Sequence, residues 1–547
     1  MERSRTKLVC TIGPASIDLV GDMVAAGMDV ARVNFSHGTP DDHRNYVHAV
    51  RAAAHSARRS VAVMVDLPGP KIRLGELEGG KQRLETGTEF TLETRRTGPR
   101  PTEPAPAAET MPVEAMSVEE APAEAAMEDL LPEPTETTDT TATEALIAEP
   151  APVETPPGHN SQAEAAATPT AERPGDARRA TVSRPTLHME LAVGDRILLA
   201  DGAVELRVTA LEEGAVRTEV VHGGIARSRS GVNIPSERLV GPGLTDEDRE
   251  AVPQALELRA DLIAQSFVRT VEDVKALREL LPNDGPRVVA KIETRVAVDS
   301  FDAIVSEADG IMVARGDLGV DIPFEDVPLV QKDLIRRATS AGRFAIVATQ
   351  MLESMTAAAR PTRAEASDVA NAVLDGTDAV MLSAETAIGA YPLDALQAMA
   401  RICVAAERAP TGEPTAAGSR DGVDPSASIV MGASLLADNA EIGAVWCFTR
   451  SGRTAELLSL QRPRVPIVAF TLSPIVARRL AVRSAVVPVV MPSGAKGGPL
   501  IERMENAWRS QHGPGGYDTV LLVTTSPQPS GINRLELHRL AGTSASR

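Results

Sequence analysis

Three cysteines in 547 residues, Cys10, Cys403 and Cys447, are too few and too far apart for a disulfide framework or a structural zinc site. They point to a reducing, cytoplasmic setting. No run of eighteen apolar residues occurs, so no helix is expected to span a membrane. The first seven residues are polar and lack the apolar centre of a signal peptide. Positive charge is also scarce: 56 Lys and Arg against 75 Asp and Glu leave a net charge of −19. Nucleic-acid and anionic-membrane binding both need basic patches and are not expected. Walker A, protein-kinase glycine-loop and His-Arg-Asp motifs are absent.

The acidity that is present is concentrated. Residues 101–175 hold sixteen acids and one base, Arg173, so of the −19 the other 472 residues carry only −4. The same window has thirteen of the 40 prolines and no Phe, Trp or Tyr. Such a stretch cannot bury enough apolar surface to offset its ordering entropy, and about 98–183 is expected to be disordered. A tolerated insertion in a surface loop is the simpler account, because closure cost grows slowly with loop length. An acidic interaction tail is the alternative.

Elsewhere short apolar runs alternate with helix-length stretches. The runs lie at 8–12, 30–35, 61–67, 262–267, 288–293, 310–313, 344–349 and 379–383. They are nearly continuous rather than alternating, as parallel strands covered on both faces require. Helices are expected over 45–57, 274–280 and 367–374, each preceded by Thr and an acid. Eight such units predict an α/β fold built on a (β/α)8 TIM barrel, whose chemistry sits at the C-terminal strand ends. Short antiparallel strands are expected at 89–94, 196–199, 203–209 and 216–221, with Gly223 and Gly224 as a turn. Further strands are expected at 444–448, 466–470, 485–490 and 519–523. The organisation is therefore a barrel in two parts, 1–75 and 241–408, with an inserted β-rich lid at 76–240. A linker at 409–425 leads to a C-terminal α/β domain at 426–547.

The strand ends are polar. Arg32, Asn34, Ser36 and His37 close the second run, and Asp66, Lys71 and Arg73 follow the third. Lys291 and Glu293 end the fifth, Arg315, Gly316 and Asp317 the sixth, Thr349 the seventh, Ser383 and Glu385 the eighth. Lys291 and Glu293 are two apart on a strand and face one side. Glu293 with Asp317 is a carboxylate pair suited to Mg²⁺, leaving positions for substrate oxygens. Arg32, Arg73 and Lys291 suit a phosphate-bearing anion. Carboxylate-held metal among converging cations is the arrangement of phosphoryl transfer.

These residues stand in motifs that resemble pyruvate kinase: CTIGPAS at 10–16, ARVNFSHG at 31–38, GPKIR at 69–73 and DGIMVARGDLG at 309–319. ATQMLES at 348–354, PTRAE at 361–365, DVANAV at 368–373 and MLSAET at 381–386 extend the match. The resemblance implies transfer of a phosphoryl group from phosphoenolpyruvate to ADP, giving pyruvate and ATP. It implies Arg32 on the substrate phosphate and Lys291 on the transferring group. Glu293 and Asp317 would hold Mg²⁺ or Mn²⁺, and Gly316, Asp317 and Thr349 the substrate carboxylate. Thr349, Ser383 and Glu385 would protonate enolpyruvate. Arg73, His37, Asp201 and Arg229 would touch nucleotide. It also implies a homotetramer and an allosteric effector, a sugar phosphate or nucleotide.

Departures from the family pattern matter at three places, one of them the acidic insertion inside the lid, whose charge is expected to repel anionic substrates or slow closure unless screened by salt. K⁺ is held in many members by the positions of Asn34, Ser36, Asp66 and the Leu67 carbonyl, and Leu67 here replaces Thr. Lys71 stands where many members have Glu, so its ammonium is expected to replace K⁺ and lower the dependence on it. In the lid, Ser230 replaces a nucleotide-contacting lysine; either Arg229 is the substitute or the contact is absent. Ala384 replaces a glycine, a small change. In the C-terminal domain, Thr449, Arg450, Ser451, Gly452, Arg453 and Thr454 lie between a strand and a helix and resemble the effector loop. An ordinary capped turn fits them equally. Two other functions compete: a metal-dependent lyase, which needs no ADP site, and a silent scaffold, against which the intact Lys291, Glu293 and Asp317 argue.

Overall fold

The computed structural model describes residues 3–94, 174–200, 202–409, 425–492, 499–512, 517–525 and 533–540. Eight apolar segments close a parallel barrel: β1 (Lys7–Thr11), β2 (Val30–Asn34), β3 (Ala62–Asp66), β4 (Leu262–Gln265), β5 (Arg287–Ile292), β6 (Gly310–Ala314), β7 (Phe344–Ala348) and β8 (Ala379–Leu382). Each pairs with its neighbour in the chain, and Lys7 of β1 pairs with Ala379 of β8 to close the ring. The runs are continuous in sequence because both faces are covered. Val30, Met64, Ala264, Met312 and Ile346 fill the interior, while Ala31, Val63, Val65, Ile311 and Val347 pack outward against helices. The strands stop one to two residues before most of the expected ends, which puts Glu293, Thr349 and Ser383 just past the last ladder bonds.

The helices start earlier than the periodic stretches suggested. Thr39 caps Pro40–Ser56 through a reciprocal box with Asp42, and Thr362 caps Arg363–Leu374 with Glu365 in the same way. The box satisfies two orphan backbone donors, so the helix begins at the cap rather than at the first apolar residue.

Between β3 and β4 lies a seven-stranded sheet in the order Ile72–Arg73, Gly231–Asn233, Arg196–Leu199, Val204–Glu212, Ala215–His222, Glu89–Thr94, Arg179–Val182. A two-stranded sheet, Lys81–Leu84 with Gly224–Arg227, accompanies it. The strands expected at 89–94, 196–199, 203–209 and 216–221 pair antiparallel with one another. Arg179–Val182, which was not anticipated, adds parallel to Glu89–Thr94. One expectation is corrected here. Residues 174–183 are ordered rather than part of the disordered stretch: Ala180 and Val182 are buried in the sheet's core. Their alternation supplies the apolar face that the acidic window lacks. The remainder of that stretch, 98–173, lies outside the described residues, as does 410–424 of the linker.

The C-terminal sheet runs Val486–Val490, Ile467–Thr471, Ala444–Phe448, Thr519–Thr524, Arg534–Arg539. The last strand is antiparallel and was not anticipated; Leu535 and Leu537 are its only apolar residues, too few to mark it out. This unit meets the barrel at the N-terminal strand ends. Ala481 and Val482 join the interior cluster. Asp261 and Asp378, immediately before β4 and β8, pair with Arg478 at 2.8 Å and Arg462 at 3.0 Å. The opposite, C-terminal end is left to the lid.

Candidate active site

The β2 and β3 ends are in register, Asn34 beside Asp66. One turn of the pleat back, Arg32 points its guanidinium along the rim and binds the buried Asp66 carboxylate, Nε to Oδ2 at 2.7 Å and Nη2 to Oδ2 at 2.6 Å. Its Nη1 donates to Thr11 Oγ1 at 3.0 Å. Lys291 reaches the same carboxylate from β5. Its Nζ lies 2.8 Å from Ser266 Oγ, 3.0 Å from Glu293 Oε1 and 3.4 Å from Asp66 Oδ1. Ser266 in turn donates to the Leu67 carbonyl at 2.7 Å. Two cations, two carboxylates and two hydroxyls from five strand ends thus form one network.

Burial dominates the electrostatics and charge pairing sets the outcome. Burial alone would push the Asp66 carboxyl up, but the Lys291 and Arg32 charges outweigh it and hold it below the usual carboxylate range. Burial likewise opposes the Lys291 charge, yet Asp66 and Glu293 raise its pKa above that of a free lysine. Glu293 goes the other way: burial, with the Asp317 charge added, outweighs Lys291 and pushes its carboxyl up.

Glu293 is held by one backbone bond, Phe267 N to Oε2 at 2.6 Å, and its buried Oε1 faces the Lys291 ammonium at 3.0 Å. Asp317, in the helix Arg315–Asp321, takes Lys71 Nζ at 2.8 Å. A buried carboxylate close enough to a second, half-buried one for their charges to repel fits a divalent cation, which would neutralise both. Among the described residues no group of three or more His, Cys, Asp or Glu side chains could hold a metal, so substrate oxygens and water would have to complete the shell. A cavity of about 240 Å³ opens here, lined by Lys71, Phe267, Glu293 and Asp317 and by Arg196 and Asn233 of the lid.

The expected placement of Lys71 is corrected by this pair. Asn34, Ser36, Asp66 and Leu67 are together at the rim, but Lys71 is on Asp317 and not among them. Asp66 already carries two cations, whereas Lys71 is the only ion-pair partner of Asp317 among the described residues. The Asn34 side chain accepts from Ser36 N at 3.1 Å, and the Leu67 carbonyl is taken by Ser266.

Thr349 and Gln350 both have positive φ, +68° and +54°. Arg315 holds that turn, its Nη2 donating to the Thr349 carbonyl at 2.7 Å and its Nη1 pairing with Asp368 at 2.7 Å. The turn brings Thr349 Oγ1 to the Gly316 amide at 2.8 Å. Glu385 is buried and accepts from Ser383 N at 2.7 Å and Leu352 N at 3.2 Å; the Ser383 hydroxyl, also buried, has no partner.

Of the nucleotide-side residues, His37 is half-buried. Burial and the charges of Arg73, Arg32 and Lys71 push its pKa down, which places it among the rim's cations. Arg73 is in the strand Ile72–Arg73 that leads into the lid. Arg229 is not brought to the rim: it is exposed, and its Nε pairs with Glu76 at 2.7 Å on the lid. Asp201 lies outside the described residues. In the C-terminal unit, Thr449 Oγ1 accepts from Gly452 N at 2.9 Å, and Gly452, at φ +98°, caps Arg453–Leu460. Thr454 Oγ1 meets Thr525 Oγ1 at 2.8 Å. Arg450 and Ser451 are exposed at the tip.

Ser266, Thr11, Phe267 and the positioning role of Arg315 were missed. Ser266 and Thr11 end β4 and β1, the two strand ends passed over in the sequence, and the rim rule applied to all eight would have found them.

The family model described as the pyruvate kinase barrel domain matches residues 3–107 and 147–396, and that of the pyruvate kinase alpha/beta domain matches 427–535. A curated pyruvate kinase of Geobacillus stearothermophilus is 36% identical over 488 residues, covering 88% of this chain and 70% of its own length. One of Mycobacterium intracellulare is 35% identical over 545 residues, 98% of both. The crystal structure of a pyruvate kinase from Cryptosporidium parvum superposes with a TM-score of 0.75 at 29% identity, covering 98% of this chain and 96% of that one. With barrel, inserted sheet, C-terminal unit and both family models in agreement, the chain belongs to the pyruvate kinase family and is a phosphotransferase.

Proposed function

We propose that this chain transfers the phosphoryl group of phosphoenolpyruvate to ADP, the closing step of glycolysis. The P–O bond to the enol oxygen breaks, a bond to the terminal ADP oxygen forms, and the electron pair stays on the enolate. The enolate then takes a proton at its methylene carbon to give pyruvate. The observation that carries this reading is Lys291, a buried ammonium kept charged by Asp66 and Glu293 beside the Glu293–Asp317 pair.

Lys291 binds the phosphoryl oxygens as charge shifts during transfer, and its fixed position costs no reorganisation. Arg32, clamped by Asp66 and Thr11, orients the substrate phosphate. Gly316, Asp317 and Thr349 take the substrate carboxylate. Arg73 and His37 face the nucleotide phosphates, and Asp201 is assigned to the same substrate. Thr349, Ser383 and Glu385 form the side from which the enolate is protonated. Mg²⁺ or Mn²⁺, when bound by Glu293 and Asp317, supplies charge neutralisation at the phosphoryl oxygens.

Weak dependence on K⁺ belongs to the same reading. Arg32 and Lys291 already neutralise the one carboxylate of the monovalent group. Replacing K⁺ by tetramethylammonium should leave most of the rate; a collapse would remove this part. The loop Thr449 to Thr454 is assigned to a sugar-phosphate or nucleotide effector of a homotetramer. A cytoplasmic setting agrees with Cys10, Cys403 and Cys447 being free and buried.

The test is a coupled assay of pyruvate formation with phosphoenolpyruvate, ADP and Mg²⁺. Activity in the folded wild type that is lost in Glu293→Gln supports the reading. A well-folded wild type that is silent in every mixture, effectors included, would sink it.

A further inference from the structure

At the barrel end opposite the rim, a cavity of about 280 Å³ lies between the N-terminal ends of β5, β6 and β7 and the C-terminal unit. Its lining is mostly cationic: five arginines against two carboxylates, Asp309 and Glu456. Both acids are engaged. Asp309 binds Arg278 at 2.8 Å and Arg287 at 2.9 Å, and Glu456 lies 3.7 Å from Arg287.

Three of the cations facing them, Arg343, Arg479 and Arg483, have no such partner among the described residues. Arg343 donates only to the carbonyls of Val305 and Ser306, Arg479 to those of Asp284 and Gly285, and Arg483 to that of Gly342. Among the described residues none of the three has a carboxylate within ion-pair distance. Arg483 is only 5% exposed, stacks its guanidinium over the Phe344 ring at 5.2 Å, and its buried Nη1 has no acceptor. Arg479 Nε is likewise buried without a partner. A guanidinium out of water needs a counter-charge, and Arg483 has no carboxylate in contact, while the part-buried Arg343 and Arg479 add like charge to the same cavity. Burial first, and the Arg287 charge second, depress the Arg479 pKa by more than Asp261, Asp284 and Asp309 raise it.

We propose that this cavity binds a phosphate group, free or carried by a small metabolite, as a site separate from the catalytic rim and from the loop Thr449 to Thr454. Planar guanidiniums pair bidentately with phosphate oxygens, and a dianion is the smallest ligand that offsets most of the excess charge. The volume admits a phosphate with a small organic remainder and excludes a dinucleotide. The walls come from both the barrel and the C-terminal unit, so the ligand would tie the two together.

Equilibrium dialysis of the full chain with radiolabelled inorganic phosphate tests this. The wild type is expected to retain one equivalent more per chain than Arg479→Ser and Arg343→Ser, whose affinity at this site should fall at least tenfold. Arg479→Lys should keep part of that binding, and Arg450→Ser, in the effector loop, should retain the equivalent. Two variants on different walls guard against one that misfolds, and thermal midpoints identify such a case. Displacement of the label by glycerol 3-phosphate would identify a phosphate ester as a ligand, and its failure would leave inorganic phosphate itself. Equal phosphate counts in the wild type and both cavity variants would overturn the proposal, as would loss of the equivalent only in Arg450→Ser.

Discussion

Lys71 Nζ sits 2.8 Å from Asp317 Oδ1, so a lysine from the loop after β3 holds one carboxylate of the pair best suited to a divalent cation. The ammonium also lies 5.9 Å from the centre of the Phe267 ring, whose backbone amide binds the other carboxylate, Glu293. The lysine and a metal ion therefore compete for one oxygen.

Replacing Lys71 by Gln should tighten divalent binding. Both partners are about one-fifth exposed, so screening limits the pair to about 0.5–1 kcal/mol, or roughly two- to fivefold in affinity. Titration with Mn²⁺ followed by electron paramagnetic resonance measures it without any turnover. Weaker Mn²⁺ binding in Lys71→Gln would show that the lysine supports the metal instead of opposing it.

Lys291→Met should lower kcat by about 10²–10³, the usual cost of losing one fixed charge-stabilising donor. Lys291→Arg should rescue little, because three acceptors at 2.8, 3.0 and 3.4 Å surround a point charge that a planar fork cannot reproduce. Steady-state rates with folded variants decide it; near-wild-type turnover in Lys291→Met would remove Lys291 from the chemistry.

Much of this site was legible because residue type and position agreed. The continuous apolar runs gave the barrel, and the barrel rule directed attention to Arg32, Lys291, Glu293 and Asp317 before any contact was known. The choice that Lys71 makes was not legible. A long side chain goes to the carboxylate left unneutralised, and that depends on Arg32 and Lys291 meeting at Asp66 from strands far apart in sequence. Strand Arg534–Arg539 was hidden for a related reason: its ladder to Thr519–Thr524 is made by the backbone, and Leu535 is its one apolar side chain packed on the core. Arg229 read as a nucleotide contact from its place in the motif, yet Glu76 is nearer.

Stability should depend on pH through Asp309. Burial opposes its charge, but Arg287, the Val288 amide and Arg278 outweigh burial and hold its pKa below the ordinary carboxylate value. The folded chain therefore releases this proton more readily than the unfolded chain. The stabilisation is fully present above the unfolded carboxylate pKa and is lost as pH falls through the depressed folded one. Asp309→Asn should cost about 1.5–3 kcal/mol at pH 7, the range for hydrogen bonds to a charged group, and progressively less below about pH 4. Denaturant unfolding at several pH values checks the trend; a pH-independent difference would assign the loss to packing.

Gly69 lies between Asp66 and Lys71 with φ +70°. A Cβ there would stand 2.6 Å from Ser266 Cβ and 3.3 Å from the Phe267 ring. Ser266 receives Lys291, and the Phe267 amide holds Glu293, so the methyl of Gly69→Ala would press on both supports of the network. Two costs add: about 1–2 kcal/mol for a left-handed alanine, and a steric displacement that the barrel wall resists. Gly79, at φ +67° with open space around it, isolates the first cost. Gly79→Ala should lower the thermal midpoint slightly and leave kcat as it was. Gly69→Ala should lower both, with kcat falling more than the midpoint shift accounts for, because the displaced hydroxyl moves Lys291. Equal kcat in the two variants would show that Ser266 can yield without disturbing the lysine, and would make its bond to Lys291 a structural contact only.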